Sequence, residues 1–312
     1  MIDRRRFLTC TFGGLLVHAV GIRQARAGQA APAGASNAVQ PLGDGVSLVT
    51  SGGTNVLALS TPEGLVLVDS GAPDRVDAVL ASIRQLPGEG RARIVFNTHF
   101  HAENTGANEA LRGGGAVIVA HENARLWMAT PVWVPVEDRY RVPRPEAARP
   151  TETFRSAGSK TLGAERVDYG YLIEAHTSGD IYVHFRDANV LAVGDVAAPA
   201  RDPELDYFTG AWIGGRVDAM DRLLALCDDR TRIVPGFGPV MTKAQLRAER
   251  DMMKAVYDRT VDRVREGDDA NDMLDAGVLK GLARAWTDPR RFLYDVQKGL
   301  WAHHNKLSPN VV

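Results

Sequence analysis

The chain has 312 residues, 45% of them hydrophobic and 24% charged, an ordinary globular composition with enough length to bury a substantial core. Lys plus Arg number 37 against 38 Asp plus Glu, a formal net charge of −1, with no basic stripe and no basic patch interleaved with aromatics; no nucleic-acid partner is expected. No apolar run reaches the roughly 20 residues that span a bilayer, so no integral membrane segment is expected in the mature form.

The chain opens on Asp3-Arg4-Arg5-Arg6-Phe7-Leu8, followed by an apolar stretch from Thr9 to Ile22 and then Ala25-Arg26-Ala27, an A-x-A cleavage pattern. This resembles a twin-arginine export signal over residues 1–27, with Asp3 where Ser or Thr is commoner. His18 and Arg23 lower the hydrophobicity of the stretch, which suits that route better than ordinary secretion. The signal implies a periplasmic or secreted protein that crosses the membrane already folded. Cleavage after Ala27 removes Cys10 and leaves Cys227 as one thiol, so neither an internal disulfide nor a cysteine-based zinc site is expected.

A small-residue linker, 28–40, precedes a single domain over 41–312. Val46 to Val49 and Asn55 to Leu59 read as paired strands, and Leu65 to Asp69 as a third strand apolar on both faces and therefore buried. Asp74 to Leu86 has helical periodicity, and Arg93 to Asn97 is a strand that ends at Thr98-His99-Phe100-His101. A short helix over Asn104 to Leu111, a strand over Ala116 to Val119 and a helix over His121 to Met128 follow. Residues 130–150, rich in Pro and Arg, read as a long surface loop. Strands are expected at 151–162, 165–174, 181–185 and 190–193, and Asp195 to Gly215 is irregular. A helix over Arg216 to Asp228, a strand at Arg232 to Val234, a long helix over Thr242 to Glu266 and a C-terminal helical extension from about 271 complete the chain. The two halves repeat strands then helices, which points to two packed sheets with helices outside.

The chemistry concentrates at Thr98-His99-Phe100-His101-Ala102-Glu103-Asn104. Residues i and i+2 of an extended backbone share a face, so His99 and His101 can point to one ion. Two neighbouring imidazoles repel when protonated, and a metal is their natural mediator. From spacing alone, a pair of unliganded loop histidines is equally consistent.

The segment resembles the His-x-His-x-Asp-His signature of the metallo-β-lactamase superfamily. Further matches come in order: Leu67-Val68-Asp69-Ser70-Gly71, Glu174-Ala175-His176-Thr177-Ser178-Gly179-Asp180, Leu191-Ala192-Val193-Gly194-Asp195, and Ile233-Val234-Pro235-Gly236-Phe237-Gly238-Pro239. The resemblance implies an α/β (α+β) fold, a four-layer αββα sandwich of two mixed sheets. It also implies a first metal site on His99, His101 and His176, with Asp69 supporting it from behind. Its second site is degenerate here: Glu103 stands for aspartate, Asn104 for histidine and Phe237 for the last histidine, leaving Asp195. An amide oxygen is a poor zinc ligand and a phenyl ring is none. One Zn2+ per chain is therefore expected, with Fe or Mn as alternatives and Glu103 with Asp195 as a weak second-metal remnant. A cation on three neutral imidazoles acidifies water to a pKa of about 7, which makes Glu103 and Asp195 the catalytic candidates. Trp133, Tyr140, Tyr207 and Trp212 are the substrate-pocket candidates. The expectation is an exported hydrolase acting on an ester, lactone, amide or related bond of a small-molecule substrate. The dedicated lactamases of the superfamily carry Cys where Asp195 stands. The other reading is a non-catalytic metal- or ligand-binding relative of the same fold.

Overall fold

The computed structural model describes residues 37–87, 90–134 and 138–307. The expected export signal and most of the linker lie outside them. The first strand, β1 (Ala38–Gly43), begins within the last residues of the stretch read as linker. It is followed by β2 (Val46–Ser51), β3 (Thr54–Thr61), β4 (Gly64–Val68), α1 (Val76–Ile83), β5 (Ala92–Phe96), α2 (Ala102–Thr105), α3 (Asn108–Gly113), β6 (Val117–His121) and α4 (Glu122–Ala129). The segment read as a surface loop contains a hairpin, β7 (Val132–Val134) with β8 (Arg139–Arg141). The second half runs β9 (Glu152–Phe154), β10 (Ala157–Leu162), β11 (Glu165–Leu172), β12 (Asp180–Phe185), β13 (Val190–Gly194), α5 (Ile213–Leu226), β14 (Arg232–Pro235), α6 (Lys243–Glu266), α7 (Ala270–Asp275) and α8 (Pro289–Leu307).

Seven strands form one sheet in the order β1-β2-β3-β4-β5-β6-β9, and five form the second, β10-β11-β12-β13-β14. Strand alternation sorts the side chains into layers. Leu57, Leu59, Val66 and Val68 join Ile181, Val183, Phe185, Val190 and Ala192 in the core between the sheets. Their neighbours Val56, Ala58, Leu65 and Leu67 pack with Val79 and Ile83 of α1 on the outer face. Leu191 and Val193 pack outward against α5, α6 and α8. The result is an αββα sandwich. The stretch expected as one strand over 151–162 is two: β9 pairs with β6 and β10 with β11, so the chain changes sheet at Arg155-Ser156.

Strands β4, β5, β6 and β9 run parallel, as do β13 and β14. Parallel strands deliver their following loops to one edge of a sheet, where crevices for ligands form. The loops after β4, β5, β13 and β14 all carry residues singled out in the sequence: Asp69, His99 and His101, Asp195, and Phe237.

Candidate functional site

His99, His101 and His176 meet at this edge. Their ring centroids are 4.7–4.8 Å apart, with rings near perpendicular. All three are buried, and one nitrogen from each lies within 4.8 Å of the others, a group that could hold a metal ion.

The outer contacts fix which nitrogen of each ring faces inward. Thr98 Oγ1 donates to Asp69 Oδ2 at 2.8 Å, so at its 3.0 Å contact with His99 Nδ1 it must accept. His99 Nε2 is therefore unprotonated; it is buried and has no hydrogen-bond partner in the protein. His101 Nε2 donates to Asp206 Oδ2 at 3.0 Å. His176 Nδ1 donates to the carbonyl of Glu204 at 2.9 Å. The inward atoms are thus His99 Nε2, His101 Nδ1 and His176 Nε2, the last two 3.1 Å apart. Each ring has its far N–H engaged by an oxygen, the arrangement that orients imidazoles on a metal.

The local backbone explains the aim. Asp69 sits at the end of β4 with a left-handed φ of 62° and accepts from Thr98 N at 2.7 Å and Asn104 Nδ2 at 3.0 Å. A Cβ on Gly194 would lie 2.6 Å from Thr98 Oγ1, so only glycine lets that hydroxyl reach between His99 and Asp69. Asp180 caps the turn that presents His176, accepting from His176 N at 2.6 Å and Thr177 N at 2.7 Å.

Electrostatics separates the rings. Burial, with the His176 ring beside it, holds His99 well below its ordinary value. Burial also opposes charge on His101, but the hydrogen bond to Asp206 and the charges of Glu103 and Glu204 outweigh it and push His101 up to about 9. Burial pushes Asp69 up to about 7 against its three hydrogen bonds.

Asp195 is buried, with Oδ2 3.8 Å from both His99 Nε2 and His176 Nε2. The same oxygen is paired with Arg201 Nη2; burial opposes the charge on Asp195, but that guanidinium together with the three histidines holds it well below the usual carboxylate range. Glu103 is half-buried and groups with His101 and Glu204 as a second set of candidate ligands. A Cβ on Gly236 would fall 2.2 Å from Asp195 Oδ1 and 2.8 Å from Asn104 Nδ2; the β14 loop passes hard against both. Phe237 lies against Gly53.

The aromatic candidates divide. Trp133 and Tyr140 pair across the β7–β8 hairpin at 5.0 Å and are exposed. The hairpin reaches the site through Arg141, whose Nη1 is 3.1 Å from Asp206 Oδ2 and whose guanidinium lies over Phe100. Tyr207 and Trp212 turn towards α8 instead, against Tyr294 and His303. His303 is half-buried and stacked on Trp212 at 3.6 Å. His121 accepts from Asn123 N at the start of α4 and stacks on Tyr171, a structural position. Cys227 is buried in the helical layer. Sequence reasoning missed Arg141, Arg201, Glu204 and Asp206; Arg141 ends β8 in a segment read as a loop, the other three lie in an irregular stretch, and none belongs to a recognised motif.

A family model described as the metallo-beta-lactamase superfamily matches residues 49–241. A metallo-beta-lactamase type 2 of Bacillus cereus is 25% identical over 201 residues, covering 64% of this chain and 73% of that protein. One from Bacillus sp. (strain 170) is 26% identical over the same shares. The structure of a metallo-beta-lactamase from Pontibacter korlensis superposes with a TM-score of 0.57 at 20% identity, covering 70% of this chain and 99% of that one.

Proposed function

The chain belongs to the metallo-beta-lactamase superfamily, and from that premise we propose that it is a metal-dependent hydrolase of a small molecule, acting on an ester, lactone, amide or related bond with one zinc ion. The observation that carries the reading is the convergence of three imidazole nitrogens on one point, one of them buried without a partner, each ring backed by an oxygen on its far side. A site retained only for packing has no need of three nitrogens so oriented. The donor set fits zinc: three neutral imidazoles and an open side.

His99, His101 and His176 would hold the ion, which supplies Lewis acidity towards a carbonyl and acidifies water. Thr98 with Asp69, Asp206, and the Glu204 carbonyl keep the rings aimed. Asp195, kept ionised with the help of Arg201, is no proton donor at neutral pH and a weak base; its part would be to orient water through Oδ2, which faces His99 and His176. Glu103, half-buried and grouped with His101, would take a proton from water and return it to the leaving group. The exposed Trp133–Tyr140 pair would offer an apolar surface to substrate on the hairpin that Arg141 ties to Asp206. We further propose export to the periplasm or beyond through the residue 1–27 signal, because three imidazoles in a pre-folded domain suit loading before translocation.

The test is a panel of esters, lactones and β-lactams offered to metal-stripped, zinc-reloaded and His176→Ala protein. Turnover that returns with zinc and is absent from His176→Ala is expected. A zinc-loaded chain inert on the whole panel would favour the binding-only reading.

A further inference from the structure

Arg201 is a charged side chain beside the metal centre that the hydrolytic reading uses only to keep Asp195 ionised. Its Nη2 rests on Asp195 Oδ2, the oxygen that also lies 3.8 Å from two of the inward histidine nitrogens. Its guanidinium lies 5.1 Å above the Phe237 ring, a cation–π geometry. Its charge is drawn by Asp195, Glu103 and Glu204 together. The side chain is only 21% exposed, and its backbone is pinned because Arg284 Nη1 donates to the carbonyls of Arg201 and Ala198. Next door, Asp202 accepts from Thr287 N and Asp288 N. A pinned backbone and a largely buried head group distinguish Arg201 from a surface arginine.

The positions around it change character together. Asn104 spends its amide N–H on Asp69, Phe237 presents a π face, and Gly236 leaves no free volume beside Asp195 Oδ1. Three carboxylates and an aromatic face make a cation site, and the chain fills it from within.

We propose that the Arg201 guanidinium takes the place of a second metal ion, neutralising Asp195 and excluding a second cation from the centre. This rests on the three-histidine reading above. A fixed guanidinium provides one positive charge without exchangeable ligands, so the centre keeps its electrostatics when metal is scarce. It also accounts for the joint presence of Glu103, Asn104 and Phe237: once an arginine supplies the charge, a carboxylate may lengthen, and imidazoles at the other two positions would only repel it or compete for its place. Arg201 is a positioning residue here; it acts through Asp195.

The experiment is zinc titration of metal-free protein by calorimetry, with elemental analysis after dialysis, for the parent, Arg201→Ala and Arg201→Lys. The parent and Arg201→Lys are expected to bind one equivalent, and Arg201→Ala a second, weaker one through the freed Asp195, Glu103 and Glu204. One equivalent in Arg201→Ala overturns the proposal, as do two in the parent. No zinc in the parent, by contrast, sinks the three-histidine reading itself. If Arg201→Ala unfolds without metal, the proposal expects excess zinc to restore its circular dichroism and thermal transition; unfolding that zinc leaves unchanged counts against it.

Discussion

Replacing Asp206 by alanine separates two opposing effects on metal affinity. The Asp206 carboxylate accepts from His101 Nε2 at 3.0 Å and pairs with Arg141 at 3.1 Å, buried. A charge-assisted hydrogen bond of this kind contributes about 1.5–3 kcal/mol, so losing it should weaken zinc by roughly 10- to 100-fold, the usual range for a residue that orients a ligand. The same carboxylate, however, helps push His101 up to about 9, and a proton bound two units above pH 7 competes with the metal by about 2.7 kcal/mol. Asp206→Ala relieves part of that competition at pH 7 and none of it at pH 9.5, where His101 is mostly deprotonated already. Competition against a chromophoric chelator in metal-buffered solution should therefore show the larger loss at pH 9.5. An unchanged affinity at pH 9.5 would refute the role given to Asp206, whatever happens at pH 7.

Proton linkage gives a second expectation. Zinc must displace the His101 proton, so titration at pH 7.5 in buffers of different ionisation enthalpy should release about one proton per ion, falling towards none above pH 9; no release at pH 7.5 contradicts the raised value of His101. In the metal-free chain the raised value means the folded state holds that proton more tightly. The stability it contributes is complete below about pH 6.5 and lost as pH rises through about 9. The thermal midpoint of stripped protein should fall across that window. Gly236→Ala would place a methyl group 2.2 Å from Asp195 Oδ1; overpacking of this kind costs about 1–3 kcal/mol. A thermal midpoint equal to that of the parent would mean that the β14 loop yields more easily than its contacts imply.

The layers of the sandwich were legible because strand alternation and helical periodicity are local properties. Leu65 to Val68, apolar on both faces, read as a buried strand and is one, and the long helix read over Thr242 to Glu266 is α6, with Thr242 as its cap. The three histidines were readable because each closes or follows a strand in a recognisable motif. The sheet change at Arg155-Ser156 was not, since neither residue breaks a strand by itself and the partner of β9 is remote in sequence. The β7–β8 hairpin hid among prolines that argue for a loop. Arg201, Glu204 and Asp206 fall in a stretch shaped by long-range hydrogen bonds to α5, α8 and the preceding segment, among them Arg216 to Glu204 and Arg284 to Arg201. Asn104 and Phe237 announced a missing second site, but what stands there is visible only in three dimensions.

The most direct measurement is anomalous diffraction at the zinc absorption edge from crystals grown with the metal. One peak is expected, about 2.0–2.1 Å from His99 Nε2, His101 Nδ1 and His176 Nε2, with Arg201 still on Asp195. A peak bonded to fewer than three of those nitrogens, or a second peak between Asp195 and Glu103, would contradict the account.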